Sequence, residues 1–268
     1  MTNGAMLEGK HAVIFGAGGS IGSAVAVELA SEGAEVHLAG RTVGSVDTTA
    51  GKISAAGGRA HVRAVDALDS ADVDEYVDSI VQQAGKLDIV FNATGPRIGE
   101  YGNGKPLVDL VAEEFMVAVD AVVKSNFITA RAAARHMLRQ GSGVIIFLTG
   151  SPAKPHGPGA SAIGAAFGAL ENLMRTMAIE LGPAGVRVVC VRTAANPDTR
   201  TMQETADVIG GALGITPDQA MDALAQNTML KTSPHTTDTA KAAAYLASDR
   251  ARMVTGTVLN SSAGAVWD

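Results

Sequence analysis

The sequence predicts an α/β chain built on a doubly wound, parallel β-sheet, and three observations carry that expectation. Short apolar runs alternate with helix-period stretches from residue 12 to residue 259. The run at 144–148 is apolar without a break, as a strand covered on both faces must be. A glycine cluster follows the first strand and opens a helix. Helices on both faces of one sheet need a sizeable core. A chain of 268 residues, 47% hydrophobic and 18% charged, can bury one as a single unit over 1–268.

The elements follow in order. Residues 12–15 form the first strand and 21–29 the helix behind the glycines. Strand two is 35–39, followed by a helix at 46–56. Strand three is 60–65, and 71–84 is helical, with Val73, Val77, Ile80 and Val81 along one side. Strand four is 89–91, strand five 144–148, strand six 187–191 and a short strand seven 258–259. Two long helices, near 109–139 and 159–181, lie between strands four and six. The segment 199–230 is the least regular and carries Met202, Met221 and Met229. It reads as a substrate lid or as an edge helix pair.

Composition narrows the function. With 21 Lys plus Arg against 27 Asp plus Glu, the net charge is −6, which argues against a nucleic-acid partner. The lone Cys190 forms no intrachain disulfide. The six histidines (11, 37, 61, 136, 156, 235) show no paired metal-ligand spacing, so no metal site is expected. The N-terminal MTNGAMLEGK has no apolar targeting core, and no charge-free run reaches the roughly 18 residues that a bilayer span needs. A cytoplasmic protein with a small-molecule substrate and no membrane partner is expected.

The glycine cluster carries chemistry. In Gly16-Ala-Gly18-Gly19-Ser20-Ile21-Gly22 the glycines let phosphate oxygens approach the main chain, and the helix start behind them offers free N–H groups. The bland reading is a glycine turn without a ligand. Strand two ends at Gly40-Arg41-Thr42, so the acidic residue that accepts ribose hydroxyls at an NAD site is missing. Arg41 can clamp a 2′-phosphate with Thr42 adding a hydroxyl, which favours NADP(H) over NAD(H). Otherwise Arg41 is a solvated loop side chain.

These residues resemble the short-chain dehydrogenase/reductase family, a Rossmann fold, over essentially the whole chain. The family's TGxxxGxG falls on Phe15, Gly16, Ser20 and Gly22, with its Thr and middle Gly replaced. Val65-Asp66-Ala67 matches the strand-three Asp that meets the adenine. Asp88-Ile-Val-Phe-Asn92-Ala93-Thr94-Gly95 matches DxxxNNAG, and Thr255-Gly-Thr-Val-Leu-Asn260 matches the closing TGxxLN.

The resemblance implies hydride transfer by an Asn, Ser, Tyr and Lys set, and here it fails. Counting from Arg175-Thr-Met-Ala-Ile-Glu180-Leu181, those positions are Val122, Gly150, Ile163 and Phe167. No Tyr or Lys occurs between 155 and 230. Acid–base help worth roughly 10²–10⁴-fold must then come from elsewhere. Ser151 can polarise a carbonyl, His156 can act as acid or base, and Asn126, one turn beyond Val122, can stand in for the Asn. Each also has a plain structural reading, as do Lys154, Arg97 and Tyr101 nearby; Cys190 reads as core. Gly164 and Gly168 share a helix face, and family members associate through these two long helices. A homo-oligomer, a tetramer by resemblance, is therefore expected through 109–139 and 159–181. Three functions stay open: an NADP(H)-dependent reductase with a rebuilt site and a small apolar carbonyl or enone substrate; a non-redox lyase or isomerase; and a non-catalytic NADP(H) sensor or partner subunit.

Overall fold

A computed structural model describes residues 5–155 and 157–267. Seven parallel strands lie in the order β3-β2-β1-β4-β5-β6-β7. They are β1 (His11–Phe15), β2 (Glu35–Gly40), β3 (Ala60–Ala64), β4 (Ile89–Asn92), β5 (Gly143–Gly150), β6 (Val186–Thr193) and β7 (Val258–Asn260). The order reverses direction between β1 and β4. This switch point opens a crevice at the strands' C-terminal ends, so loops leaving those ends form the site.

Each face carries its own core. One gathers Val13, Phe15, Val90, Ile145, Phe147 and Val188 with the helices that follow β3, β4 and β5. The other gathers Ile14, Leu38, Phe91, Ile146 and Val191 with the first helix and the last. Alternate residues of the central strands therefore face opposite layers, which explains their unbroken apolar character.

The helices are α1 (Ser20–Ser31), α2 (Val43–Ala55), α3 (Ser70–Ala84), α4 (Ala112–Val119), α5 (Ser125–Gln140), α6 (Ser161–Leu181), α7 (Arg200–Leu213), α8 (Pro217–Gln226) and α9 (Thr236–Ala247). Asp69 caps α3 through the Ala71 and Asp72 N–H groups. The long helix expected at 109–139 is broken. A π-turn at Asp120–Lys124 separates α4 from α5 and holds Val122. The segment 199–230 is more regular than its sequence suggests, being the hairpin α7–α8. The following α9 went unassigned because its buried side chains are mostly alanines (Ala240, Ala243, Ala244, Ala247) and make no bulky apolar stripe. Among the described residues no helix is long and apolar enough to cross a membrane.

One expectation changes here. The small residues of α6 predict close approach to another helix. A Cβ on Gly164 would instead lie 2.8 Å from the Pro152 carbonyl oxygen of the same chain, and one on Gly168 3.9 Å from that of Ala153. The glycines admit the chain's own loop after β5, and that contact offsets the helix-propensity cost of about 1 kcal/mol per glycine.

Candidate active site

The loop after β1 is built from the backbone outward. Gly16 has φ +76°, and a Cβ there would lie 2.8 Å from the Ala93 carbonyl carbon. Only glycine lets this loop pass so close to the end of β4. The Ala17 N–H bonds the Ala39 carbonyl at 3.0 Å and the Thr49 hydroxyl donates to the Ala17 carbonyl at 2.9 Å, tying the loop to β2 and α2. Gly18, Gly19 and Ser20 are exposed at its tip, with Ile21 half-buried and Gly22 buried. Helix α1 starts with no side-chain cap and no acidic residue in its first turn. Its leading N–H groups and positive dipole end thus stay available to an anion.

At the end of β2, Arg41 and Thr42 are exposed. Arg41 forms no ion pair among the described residues. Asp66 is exposed beyond β3, and its Oδ1 accepts the Leu68 N–H at 3.0 Å; Ala67 beside it is buried. Asn92 is committed internally: its Oδ1 accepts the Thr94 N–H at 2.7 Å and its Nδ2 donates to Thr129 Oγ1 at 2.9 Å. It braces the end of β4 and leaves the backbone of Ala93, Thr94 and Gly95 to line the crevice.

The other half of the crevice is apolar at the four positions the resemblance singled out. Val122 and Ile163 are buried and Phe167 half-buried. A Cβ on Gly150 would lie 2.9 Å from Phe167 Cε2 and 3.3 Å from Pro152 Cδ. The Phe167 ring thus closes against the end of β5, and glycine at 150 is the residue that lets it. The two replacements form one packing unit.

One turn further along α6 lies a buried ion pair that sequence reasoning missed. Arg192, wholly buried on β6, donates Nε and Nη2 to the two Glu171 carboxylate oxygens at 2.9 and 2.8 Å. Thr149 adds its hydroxyl to Oε1 at 3.1 Å. Glu171 sits one turn beyond Phe167, and Arg192 pairs in register with Thr149. The signal was present: a base at the apolar C-terminal end of β6 and one acid on the apolar face of α6. Burial pushes the neighbouring Cys190 thiol far up, so Cys190 is inert core as expected.

The candidate catalytic groups are less united. Ser151 is buried, and its hydroxyl makes no hydrogen bond among the described residues. Asn126 is buried and folds its Nδ2 onto the Val122 carbonyl of the π-turn at 2.7 Å, while its Oδ1 has no hydrogen-bond partner among the described residues. It therefore serves the turn that holds the family's Asn position. His156 lies outside the described residues. Tyr101 is buried, and burial pushes its phenol up to about 12, which disfavours the phenolate near neutral pH. Arg97 is exposed and Lys154 half-buried.

Above the crevice, α7 starts from a tied loop. The Asn196 side chain bonds the Thr193 hydroxyl and the Pro234 carbonyl, both at 2.9 Å, and Thr199 caps the helix. Beyond this base few α7–α8 side chains are buried, Ala206, Gly210 and Ala220 being those within the helices.

Known proteins match this chain over nearly its whole length. The family model for enoyl-(acyl carrier protein) reductases matches residues 16–265. An uncharacterised oxidoreductase of Methylorubrum extorquens is 32% identical over 96% of this chain and 98% of its own. The 7α-hydroxysteroid dehydrogenase of Escherichia coli strain K12 is 28% identical over 98% of this chain and 96% of its own. A solved 7α-hydroxysteroid dehydrogenase, complexed with NADH and 7-oxo glycochenodeoxycholic acid, superposes with a TM-score of 0.85 at 28% identity, covering 100% of this chain and 99% of that one.

Proposed function

The chain belongs to the short-chain dehydrogenase/reductase family of oxidoreductases, and from that premise we propose that it is an NADP(H)-dependent reductase of a small apolar carbonyl or enone. The observation that carries the reading is the dinucleotide end: an uncapped α1, a glycine loop pressed on β4, and an exposed Arg41, without an ion pair among the described residues, where an acid would repel a 2′-phosphate. These residues fit the cofactor. Gly16, Gly18, Gly19, Ser20, Ile21 and Gly22 would hold the pyrophosphate, Arg41 and Thr42 the 2′-phosphate, Asp66 and Ala67 the adenine, and the backbone of Ala93, Thr94 and Gly95, braced by Asn92, the neighbouring ribose. The steroid dehydrogenase structure holds NADH, so the NADP(H) preference rests on Arg41 alone.

When bound, reduced nicotinamide supplies a hydride. The chain's own part is to orient the substrate and deliver a proton. Ser151, with an uncommitted hydroxyl, would donate to the substrate carbonyl. The proton would come from His156 or from water, because Ile163 and Phe167 carry none. Asn126 would hold the π-turn, and the apolar wall of Val122, Ile163 and Phe167 selects apolar substrates. The 199–230 segment would close over them as a lid. Exposed Met116 and Phe127 on α4 and α5 and Ile179 on α6 support homo-oligomer formation through those helices.

The Phe167 ring on Gly150 favours a second reading, a non-catalytic NADP(H) sensor. Following NADPH oxidation against a panel of apolar ketones and enones separates the two. A reductase turns over at least one of them, and Ser151→Ala lowers kcat about 10²-fold, as loss of one oxyanion donor does. No turnover across the panel, with NADPH still bound, refutes the reductase and leaves the sensor.

A further inference from the structure

At the opposite end of the sheet, three neighbouring strands bring together polar side chains that the cofactor site does not use. His11 opens β1 and pairs in register with Glu35, which opens β2. His37 follows Glu35 by two residues, so both side chains leave the same face of β2, and it pairs with His61 of β3. His11 Nδ1 and His37 Nε2 lie 3.4 Å apart, and a Glu35 carboxylate oxygen lies within 4.8 Å of both.

The 3.4 Å separation admits two uses of these nitrogens. One is a long imidazole N–H···N hydrogen bond, beyond the roughly 3.2 Å usual for N–H···O pairs. The other is the edge of a tetrahedron around a zinc ion: bonds of about 2.0–2.1 Å place two ligands roughly 3.3–3.4 Å apart. The surroundings already orient the set. His61 stacks on His37, with ring centroids 4.9 Å apart, and its Nε2 meets Glu35 Oε1 at 2.7 Å. Ligating carboxylates in metal sites are themselves held by hydrogen bonds, as His61 holds Glu35. Arg59 Nε occupies Glu35 Oε2 at 2.8 Å, but its side chain is 74% exposed and free to swing into solvent when a cation arrives. The backbones are strand backbones, so closing the set from within 4.8 Å to a tetrahedral edge falls on the side chains.

We propose that His11, Glu35 and His37 bind one divalent transition-metal ion of the zinc class, with water at the fourth position and His61 as the outer-shell partner. Two imidazoles and a carboxylate suit zinc and disfavour magnesium or calcium, which take oxygen ligands. Spacing along the chain gave no sign of the site, because strand register and not sequence proximity brings the ligands together. The length of β1, roughly 15 Å at 3.3 Å per residue, separates it from the Gly16 loop. The ion would therefore clamp β1 to β2 without touching the cofactor end.

The test is titration of chelator-treated protein with Zn²⁺ against a competing chromophoric chelator, and with Co²⁺ followed by visible absorption. The expected result is one equivalent bound, with the visible bands of four-coordinate cobalt. His11→Asn and Glu35→Gln, both half-buried positions, should each weaken Zn²⁺ binding at least tenfold. Their melting temperatures in chelator, and their NADPH binding, should match wild type. His37→Gln should abolish binding, and His11→Asn keeps the test decisive if that buried variant misfolds. Equal Zn²⁺ affinity in wild type and His11→Asn, or no saturable equivalent in wild type, overturns the proposal.

Discussion

Restoring the family's serine should harm this protein unless Phe167 is removed with it. Gly150 has φ −128° and ψ 168°, an extended conformation open to any residue, so Gly150→Ser carries no backbone strain. Its cost is steric, because the new Cβ would sit 2.9 Å from Phe167 Cε2 with Pro152 Cδ at 3.3 Å on another side. Overpacking of this kind costs about 1–3 kcal/mol, and the half-buried ring can yield part of the gap, so about 1–2 kcal/mol is expected. For a chain of this size that lowers Tm by roughly 2–8 °C. Phe167→Ala alone loses packing, but in its presence the serine should become nearly free of cost. A double-mutant cycle by urea denaturation reads the coupling, expected at about 1 kcal/mol or more and favouring the double variant. Additivity within about 0.5 kcal/mol would refute the claim that the two replacements form one packing unit.

Further predictions concern other parts of the structure. Arg192→Met leaves the buried Glu171 carboxylate with the Thr149 hydroxyl and the more distant Arg175, and should cost about 3 kcal/mol in urea denaturation, whereas Arg192→Met with Glu171→Met should recover most of it. Gly164→Ala should lower Tm despite alanine's better helix propensity, because its Cβ meets the Pro152 carbonyl; a rise in Tm would show that this face is open. Burial lowers the His37 pKa from 6.5 to about 4, so the folded state favours the neutral ring. That stability is complete above pH 6.5 and is lost as pH falls towards 4, by up to roughly 3 kcal/mol. In chelator-treated protein, His37→Gln should flatten the stability profile across that window, and an unchanged slope would contradict the assignment.

The parallel sheet and the glycine loop after β1 were legible in the sequence because each rests on local signals. Unbroken apolar runs mark strands buried on both faces, and a glycine forced to φ +76° must appear as glycine. What was hidden depends on pairing between distant segments. Gly164 looked like a helix-contact residue, and only the fold shows the Pro152 loop lying on it. Arg192 and Glu171 are 21 residues apart, and each alone reads as an oddity in an apolar run. The His11, Glu35 and His37 cluster exists only through the register of β1 and β2. The break at Asp120–Lys124 carries no proline or glycine to announce it. Helix α9 escaped because alanines fill the narrow space against α1 where larger side chains would have marked a stripe.

The central claim is a dinucleotide end kept for NADP(H) beneath a rebuilt apolar site. Calorimetric titration of wild type and Arg41→Ala with NADPH and NADH tests it most directly. The account predicts tight NADPH binding by wild type, at least tenfold over NADH, and a loss of about 10–100-fold for NADPH alone in Arg41→Ala, the worth of a charge-assisted phosphate contact. Equal binding of the two nucleotides by wild type, or binding of neither, would contradict it.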